Sequence, residues 1–578
     1  MASVAAARAI ATVGGLRPRR STYFMAVLLV VLGFFLIYPI ILILGLSFNT
    51  AEYIWFGERE WGLANWRVAW EEPRLLRALG NTLMVWILVV VISFPIATVI
   101  AWTLARTNIP FSNTLEVVFW VSFMMPGLAT TLSWIMLMDP SIGLFNKLLE
   151  RLPFVEEGPF NIFSVPGIIW AHLMANGIST KVMLLTPAFR NMDSRLEEQA
   201  RVGGAGNLQT MMRVTLPLMI SPMVLVFSLQ LLRILSGFEI EYLLGTPIGF
   251  FVYSTLIYEL VDANNPPLYG QATVLASLTL LVVALVIPVQ RWVSHRRRYT
   301  TITGQFKPGL LDLGKFKWVI FGLMAGLLIA LTLLPAATLT VGSFMNRIGY
   351  FNIDPLFSMK HWDFVLADNF FWVGLRTTLT ISIAAAIGSP LLFMILAYIL
   401  VRTRFAGRIY LDLVIWTSAA IPGILSGLGL LLIFLGTPGL SFLFGTVFAL
   451  IIVVLLQGNT VGVNISKGVL LQVGAEIEEA ARIAGASWTR TFVRIMIPVL
   501  MPTLILLAMI NFVSAAGATS SVVLLASRET MTLSLVALDY ATGDYLEEAA
   551  IVSVIITLFT TVLVFAARWR GLRMSVHH

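Results

Sequence analysis

The stretch from Thr82 to Ala105, TLMVWILVVVISFPIATVIAWTLA, decides the fold class of this 578-residue chain. It holds no charged side chain and exceeds the roughly 20 apolar residues that an α-helix needs to cross a lipid bilayer. Similar runs recur along the chain, so that 58% of all residues are hydrophobic, only 12% are charged, and the mean hydropathy is +0.89. Since a water-soluble domain carries about 25% charged residues, the sequence predicts an all-α membrane protein.

Twelve segments have the length and composition of membrane-spanning helices. An even number of spans places both ends of the chain on one side of the membrane. Basic residues concentrate in the loops of that side, whereas the opposite loops are richer in acids. Because positively charged loops stay in the cytoplasm, we expect both termini to be cytoplasmic. The predicted spans lie near residues 24–48, 82–105, 115–138, 165–187, 217–237, 270–292, 318–344, 377–401, 409–436, 441–464, 498–518 and 547–568.

The end of the opening stretch belongs to an internal repeat. The motif AWTLART at residues 101–107 recurs as AYILVRT at residues 397–403, an offset of 296, and further along the offset becomes 281 because an outer loop is shorter. We therefore expect two parallel six-span halves related by an axis along the membrane normal, with the substrate route between them. The predicted division is a tail at 1–23, a first half at 24–292, a basic linker at 293–317, a second half at 318–570 and a tail at 571–578.

Two cytoplasmic loops, after spans 4 and 10, share one pattern. In each, a Glu is followed by an Ala two residues later, a Gly four residues further on, and a Pro that closes a second amphipathic piece. The glycine favours the end of a short helix, and the proline is typical of a helix start. Each loop is therefore predicted to form a short helix outside the bilayer, a turn, and a re-entry into the next span. The residues are Glu198, Ala200, Gly204 and Pro217 in the first loop, and Glu479, Ala480, Ala481, Gly485 and Pro498 in the second.

This pattern resembles the EAA loop of importer-type ABC permeases, which reads Glu-Ala-Ala, then Gly, then a closing Ile-x-Leu-Pro. The resemblance implies the type I ABC importer permease fold, in which each loop forms a coupling helix that docks in a groove of an ATPase subunit. It assigns polar contacts with the ATPase to Glu198 and Glu479. It also implies two ATPase subunits that bind ATP and Mg²⁺, an extracytoplasmic substrate-binding protein, and a chain that itself binds no cofactor and catalyses no reaction.

A single chain of two fused halves resembles, within that family, the permeases of the ferric-ion group. The segments 238–240, 244–247 and 266–270 add to this likeness. Relatives in the group carry thiamine, polyamines or phosphonate. The resemblance therefore makes a small polar or charged nutrient the expected cargo, with ferric ion first and the other three as alternatives.

Two other classes of protein predict different sequences. A twelve-span transporter driven by an ion gradient predicts acidic residues deep in several spans and gives no reason for the duplicated loops. A membrane enzyme needs a cluster of His, Asp and Glu, which the sequence does not display, and we expect no metal site. The chain has no cysteine, which excludes disulfides and thiolate sites. Its net charge of +8 sits mainly at span ends, so no nucleic-acid partner is expected.

Polar side chains inside the predicted spans are candidates for the translocation pathway, because ionisable groups there cost roughly 2.5–3.5 kcal/mol and tend to be functional. His172, Asn176 and Ser179 are spaced by four and three residues, which places them on one helix face. The structural alternative is that such groups join helices or reach toward the membrane surface. The candidate pathway residues are His172, Asn176, Arg233 and Glu239.

One linker motif, GLLDLGK at residues 309–315, matches the first positions of a phosphate-binding loop. Phe316 replaces the required Ser or Thr, no strand precedes the motif, and a membrane span follows it. We therefore expect no nucleotide to bind here, so that any ATPase is a separate chain.

Overall fold

The computed structural model describes residues 20–51, 60–190, 192, 194–220, 222–224, 226–227, 230, 237–296, 310–418, 421–474 and 476–569. Apart from three isolated β-bridges, every regular element within these ranges is helical. The first half contains α1 (Arg20–Leu36), α2 (Tyr38–Leu46), α3 (Ala64–Glu71), α4 (Pro73–Arg106), α5 (Ser112–Met124), α6 (Gly127–Met138), α7 (Leu144–Leu149), α8 (Val165–His172), α9 (Ser179–Arg190), α10 (Ser194–Val202), α11 (Asn207–Thr210), α12 (Leu216–Leu218), α13 (Glu239–Leu244), α14 (Tyr253–Tyr258) and α15 (Tyr269–Arg296). The second half contains α16 (Phe316–Leu328), α17 (Leu334–Phe344), α18 (Lys360–Ala367), α19 (Asn369–Arg402), α20 (Arg408–Ser418), α21 (Gly423–Gly436), α22 (Val447–Leu456), α23 (Asn459–Gln472), α24 (Glu476–Ile483), α25 (Trp488–Thr491), α26 (Ile497–Val499), α27 (Met501–Ala516), α28 (Leu533–Thr542) and α29 (Leu546–Trp569).

Apolar helices occupy most of the predicted spans. Five are uninterrupted and long enough to cross a membrane, and five more are pairs of helices bent at a short break. α15 and α28 contribute shorter apolar segments. These elements form the all-α membrane architecture that the sequence predicts. The predicted span at 217–237 lies partly outside the described residues, and the division into tails, halves and linker stays a prediction.

Two of the predicted spans are steeply bent. α5 and α6 meet at 94°, and α20 and α21 meet at 114°. The bends fall at Pro126 and Pro422, since proline cannot donate the hydrogen bond that continues a helix. The predicted spans at 115–138 and 409–436 are thus each formed by two helices that meet at a sharp bend. Hydropathy measures the length of an apolar run and carries no information about its direction.

The internal repeat is visible in the helices. α4 and α19 have 34 residues each and begin and end at positions 296 residues apart. Two π-helical turns, Met211–Thr215 and Phe492–Met496, follow the second offset of 281. The structure thus contains two copies of one helical unit, as the sequence predicts.

The first span of each half packs against helices of the other half. α1 and α2 pack against α20 and α21, while α16 and α17 pack against α5 and α6. Leu32 and Leu36 of α1 are buried in one apolar cluster with Phe393 and Ile415 of the second half. Because each copy completes the core of the other, the two halves form a single packed unit.

Glycines allow the closest helix contacts. A Cβ atom at Gly462 in α23 would lie 2.0 Å from the ring of Phe393 in α19. A Cβ atom at Gly429 in α21 would lie 2.5 Å from Pro39 in α2. Small residues at such positions let helix backbones approach, which is a common basis of helix packing in membranes.

Replacing Gly462 with Ala is expected to destabilise the protein, because the new Cβ overlaps the Phe393 ring and overpacking costs about 1–3 kcal/mol. Gly468 lies in the same helix with nothing within 4 Å of its Cβ position. Gly468→Ala is therefore expected to leave stability unchanged or raise it by up to about 1 kcal/mol. Thermal unfolding of the detergent-solubilised protein measures both variants, and equal loss of stability in the two would contradict the close contact.

Candidate functional site

The loops after spans 4 and 10 form the two short helices that the sequence predicts, α10 and α24. Each is followed by a glycine in the left-handed conformation, Gly204 with φ 86° and Gly485 with φ 78°. The residue after each glycine donates its N–H to a carbonyl five residues earlier, at 3.0 Å in both loops. This closing turn satisfies carbonyls at the helix end, and a side chain at the glycine would be strained. The predicted role of both glycines as helix ends is confirmed.

The remaining motif positions fit the same picture. Pro217 and Pro498 each lie in the first turn of a short helix, directly after a π-helical turn. Of the motif alanines, Ala481 is buried, Ala200 is half-buried and Ala480 is exposed. The chain therefore leaves each coupling helix through a tight turn and re-enters the apolar part of the protein at the proline.

The outer faces of α10 and α24 carry both acidic and aliphatic side chains. Glu198 and Glu479 are exposed, as contact with a partner requires. Val202 and Ile483, at the ends of the two helices, are 90% and 88% exposed. These two residues are 281 apart and so occupy one repeat position. The same position is therefore aliphatic and exposed in both copies, a feature that the motif pattern did not predict.

A buried arginine ties the first coupling helix to the membrane helices. Arg106 ends α4, is 1% exposed, and donates from Nη2 to the carbonyl of Met192. Its Nε lies 3.9 Å from Oε2 of Glu197, in the first turn of α10. The hydroxyl of Thr215 donates to the other carboxylate oxygen at 2.7 Å. Glu197 therefore joins the end of α4, α10 and the turn before Pro217.

The second half repeats this arrangement. Arg402 ends α19, and its Nε lies 3.3 Å from Oε1 of Glu478 in α24. Its Nη2 donates to the carbonyls of Leu470, at 3.0 Å, and Val473. The hydroxyl of Tyr398 donates to the second oxygen of Glu478 at 2.7 Å. Since breaking a buried ion pair leaves an uncompensated charge, costing about 3–5 kcal/mol, these contacts hold α10 against the end of α4 and α24 against the end of α19.

Sequence reasoning selected the exposed acids Glu198 and Glu479 and missed the buried acids next to them, Glu197 and Glu478. A resemblance names motif positions but does not say which side of a short helix faces the protein. A signal was nevertheless present. An arginine ends the repeated apolar run in both halves, and a second acid repeats in both coupling loops on the same side of the membrane. Repeated opposite charges on one side predict an ion pair.

A cavity of about 540 Å³ lies between the two halves. The bends near Pro126 and Gly423 and the helix interruptions at Gly177 and Gly458 form much of its wall. No lysine or arginine lines it among the residues that the structure describes. Polar groups on the wall include His172, Asn176, Glu239, Gln457, Asn459 and Ser520.

Interrupted helices bring backbone polar groups to this cavity. After α8 the helix is broken at Asn176, which has φ 70°, and in the second half it is broken at Gly458, with φ 68°. The side-chain amide of Asn176 donates to the carbonyl of Met125 at 3.1 Å, which holds the break against the bend at Pro126. Non-helical backbone at membrane depth is tolerated where it is buried in protein or lines a cavity, and transporters commonly place their sites there.

The cavity wall carries the carboxylate of Glu239, and His172 on the same wall contacts a second carboxylate, that of Glu241. The Nε2 atom of His172 lies 2.7 Å from Oε1 of Glu241, which is 2% exposed. Glu239 begins α13 and lines the cavity itself. A Cβ atom at Gly127 would lie 3.0 Å from Oε1 of Glu239, so the absence of a side chain at Gly127 lets this carboxylate fit against α6.

One expectation about these residues is corrected. Because the helix breaks before it reaches Ser179, that residue does not share a face with His172, and its hydroxyl bonds to Ser122. Lys181, two residues further along, is buried and donates to the carbonyl of Gly177 at 2.6 Å. Arg233 lies outside the described residues. The other pathway candidates, His172, Asn176 and Glu239, all line the cavity.

The motif that resembles a phosphate-binding loop is used for packing. The N–H of Leu311 donates to the carbonyl of Arg106 at 2.8 Å. Oδ1 of Asp312 accepts from Asn108 at 2.6 Å and from the N–H of Gly314 at 2.9 Å. The Gly314 N–H, followed by the Asn108 amide, lowers the pKa of Asp312 below its usual value. The N–H groups of Leu311 and Gly314 are therefore engaged within the chain.

Two solved structures resemble part of this chain. One is a bacterial ABC transporter involved in the import of the acidic polysaccharide alginate, and the other is an alginate transporter in complex with a pentasaccharide-bound periplasmic protein. They are 21% and 22% identical to this chain and cover 49% and 50% of it. The matches cover 97% and 98% of those chains, each with a TM-score of 0.39.

Relatives of known description match more of the sequence. The ferric transport system permease protein FbpB of Actinobacillus pleuropneumoniae is 24% identical over 70% of this chain, and a putative ferric permease of Haemophilus influenzae is 25% identical over 64%. The chain spans 58% of the length of each. A probable ABC transporter permease of Sinorhizobium fredii is 24% identical over 78% of this chain and 79% of its own length.

One family model matches this sequence twice, once in each half. It describes the binding-protein-dependent transport system inner membrane component and covers residues 93–299 and 391–575. The two matches include both coupling loops, both cavity-lining helix breaks and most of the repeat. They extend over more than half of the sequence, so the chain belongs to the family of binding-protein-dependent transport system inner membrane components.

Proposed function

We propose that this chain forms the translocation pathway of an ATP-driven importer and is coupled through α10 and α24 to two ATPase subunits that bind ATP and Mg²⁺. An extracytoplasmic substrate-binding protein delivers the cargo to the opposite face. The chain itself hydrolyses no ATP and binds no cofactor. It lies in the bacterial cytoplasmic membrane with both termini in the cytoplasm, as its basic loops favour.

The duplicated tie between each coupling helix and a long membrane helix carries this proposal. Arg106 and Arg402 end helices of 34 residues, which are about 51 Å long at 1.5 Å per residue. A helix of that length reaches across the bilayer. A displacement of α10 or α24 by an ATPase therefore moves the end of a helix whose other end lies at the far face.

The exposed ends of the coupling helices supply the docking contact. Val202 and Ile483 are aliphatic and nearly bare, and Glu198 and Glu479 lie on the same short helices. An apolar side chain enclosed by a polar rim is the usual anatomy of a protein interface. Burying such a side chain contributes about 1.5–3 kcal/mol, enough for one coupling helix to matter to the affinity for its ATPase.

Replacing Val202 and Ile483 together with Asp is expected to abolish co-purification of the ATPase subunits, because two charges enter apolar contacts. Each single variant is expected to weaken the association about tenfold, in line with a loss of at least 1.4 kcal/mol. Pull-down of the full chain from its native membrane, with quantification of bound ATPase, measures the effect.

The matched control is Val68→Asp, which also places an aspartate at an exposed aliphatic residue. Val68 lies in α3, next to the start of α4, whereas α10 contacts the end of α4. This variant should retain its ATPase. Undiminished co-purification with the Val202 and Ile483 double variant would exclude α10 and α24 as the docking surface and would remove the main support for the proposed function.

Transmission is tested separately from docking. The double variant Arg402→Gln with Glu478→Gln removes the tie without leaving a buried charge, so we expect it to keep its ATPase but to lose at least about tenfold in cargo uptake. The single variant Glu478→Gln leaves the arginine unpaired and is expected to cost about 3 kcal/mol of stability. Full uptake by a folded double variant would show that the tie does not carry the motion.

A cation is the cargo that the cavity favours. Its described lining includes the carboxylate of Glu239 and no lysine or arginine, which fits a positively charged ion better than a phosphonate. The two relatives first compared above are named for ferric transport. We therefore propose ferric ion as cargo, with thiamine and polyamines as the competing cations.

Uptake of radiolabelled ferric ion, thiamine, spermidine and a phosphonate by cells that lack this chain distinguishes these cargoes. We expect only ferric uptake to be lost and to return with the wild-type chain. Glu239→Gln is expected to restore less than about a tenth of it, since the carboxylate is a hard oxygen ligand for iron. Glu259→Gln, a carboxylate paired with Arg74 outside the cavity, is the control. Normal ferric uptake without the chain rules iron out.

A further inference from the structure

A second cluster of ionisable side chains lies far from the coupling helices. His361 in α18 meets Glu547 and Glu548 in the first turn of α29. α18 immediately precedes α19, whose other end reaches Arg402 and the coupling helix. The cluster therefore lies at the opposite end of α19, about 50 Å from the ATPase-facing side. This position corresponds to the extracytoplasmic face.

The three side chains converge closely. One ligand atom from each lies within 4.8 Å of those of the other two. Nδ1 of His361 is 2.7 Å from Oε1 of Glu548, and Nε2 of His361 is 3.1 Å from the carbonyl of Asn346. Oε1 of Glu547 accepts the N–H of Ile348 at 2.7 Å. The sequence pattern did not predict this cluster, because His361 and Glu548 are 187 residues apart in the chain.

Charge is poorly balanced in this cluster. Glu548 is 5% exposed and Glu547 is 9% exposed. The second oxygen of Glu548 is buried and has no hydrogen-bond partner, and neither carboxylate pairs with a lysine or arginine in the part of the chain that the structure describes. Acids are favourable at a helix N-terminus, but that does not account for a buried oxygen without a partner. A buried carboxylate needs a cation, a proton or a further donor.

The internal repeat supplies a reference for this place. α3 corresponds to α18 at the offset of 296, and Trp66 stacks on Phe48 as Trp362 stacks on Phe344. At the position of His361 the first half has Asn65, whose amide donates to the carbonyl of Asn49 at 2.7 Å.

The helix that faces Asn65 also differs. It is α15, and its Gly270 lies so close that an added Cβ would be 2.6 Å from the Asn65 amide. The fold of this corner therefore needs neither the imidazole nor the carboxylates, because the first half makes the same contact with asparagine and glycine.

We propose that His361, Glu547 and Glu548 bind a divalent transition-metal ion of the zinc type at the extracytoplasmic face. Imidazole and carboxylate ligands suit Zn²⁺ and its neighbours, and three protein ligands leave a position for water. The Nε2–H of His361 donates to the carbonyl of Asn346, which is the usual outer contact of a metal-bound histidine and directs Nδ1 toward the ion. The ion links α18 to α29 and balances the buried carboxylates.

Zinc titration of the purified full chain tests the proposal. After removal of any affinity tag and treatment with a chelator, isothermal calorimetry with Zn²⁺ is expected to show one site per chain. His361→Asn, which installs the residue of the first half, and Glu548→Gln are each expected to weaken binding at least about tenfold. Both variants are checked for a monodisperse elution profile before titration. In the wild-type chain, Co²⁺ is expected to give visible absorption bands that Zn²⁺ removes, a readout that needs no variant.

Two controls separate this site from other zinc ligands. Glu259→Gln alters a carboxylate paired with Arg74 elsewhere in the fold and is expected to bind Zn²⁺ as the wild type does. Replacing His577 and His578 with Ala removes two adjacent histidines that are potential ligands, and binding is expected to persist. The proposal is overturned if the wild-type chain binds neither ion at the site. In that case a proton shared between His361 and Glu548 balances the charge. Unchanged zinc affinity of His361→Asn, or loss of binding with the terminal histidines, overturns it equally.

Discussion

The contact between a buried glutamate and the arginine that ends each long helix is the constraint on which the rest of the arrangement depends. Arg106 and Arg402 cannot lose contact with Glu197 and Glu478 without leaving a charge in a low-dielectric environment. They also hold backbone carbonyls just ahead of the coupling helices. An otherwise marginal helix of two turns is thereby fixed to a membrane helix of 34 residues. Short helices are unstable alone, so this contact fixes the position of α10 and α24 relative to the long helices.

A different constraint shapes the centre of the protein. Twelve straight apolar helices in a tight bundle would leave no polar surface for a cargo, because every backbone group would be satisfied within its own helix. Where the two halves meet, the backbone hydrogen bonds of the helices are interrupted. The interruptions are the bends at Pro126 and Pro422 and the breaks at Asn176 and Gly458. Since the breaks recur in both copies, the cavity is a property of the repeated unit.

What the sequence could predict follows from what its patterns record. Run length, charge placement and repeat offsets predicted a helical membrane protein of two copies, and glycine conformations confirmed the ends of the coupling helices at Gly204 and Gly485. These patterns did not show where a helix bends or breaks, or which side chains are buried. Spacing placed Ser179 on the face of His172 because it assumed an unbroken helix, and motif resemblance highlighted Glu198 while the adjacent Glu197 makes the buried contact.

Departures from the repeat are as informative as the repeat itself. Where the copies agree, as at the two arginine contacts, the same interaction holds a short helix against a long one in both halves. Where the copies differ, one half makes the corresponding packing contact with smaller, uncharged residues. Gly127 faces the carboxylate of Glu239, whereas Gly423 faces the hydroxyl of Ser520. His361 and Glu548 stand where the first half has Asn65 and a glycine-bearing helix. A buried charged group that the fold does not require needs a bound ion, a proton or a further hydrogen-bond donor to balance it. The two positions at which the halves differ, Glu239 at the cavity and His361 with Glu548 between α18 and α29, are therefore the places at which to look for bound cargo and bound metal.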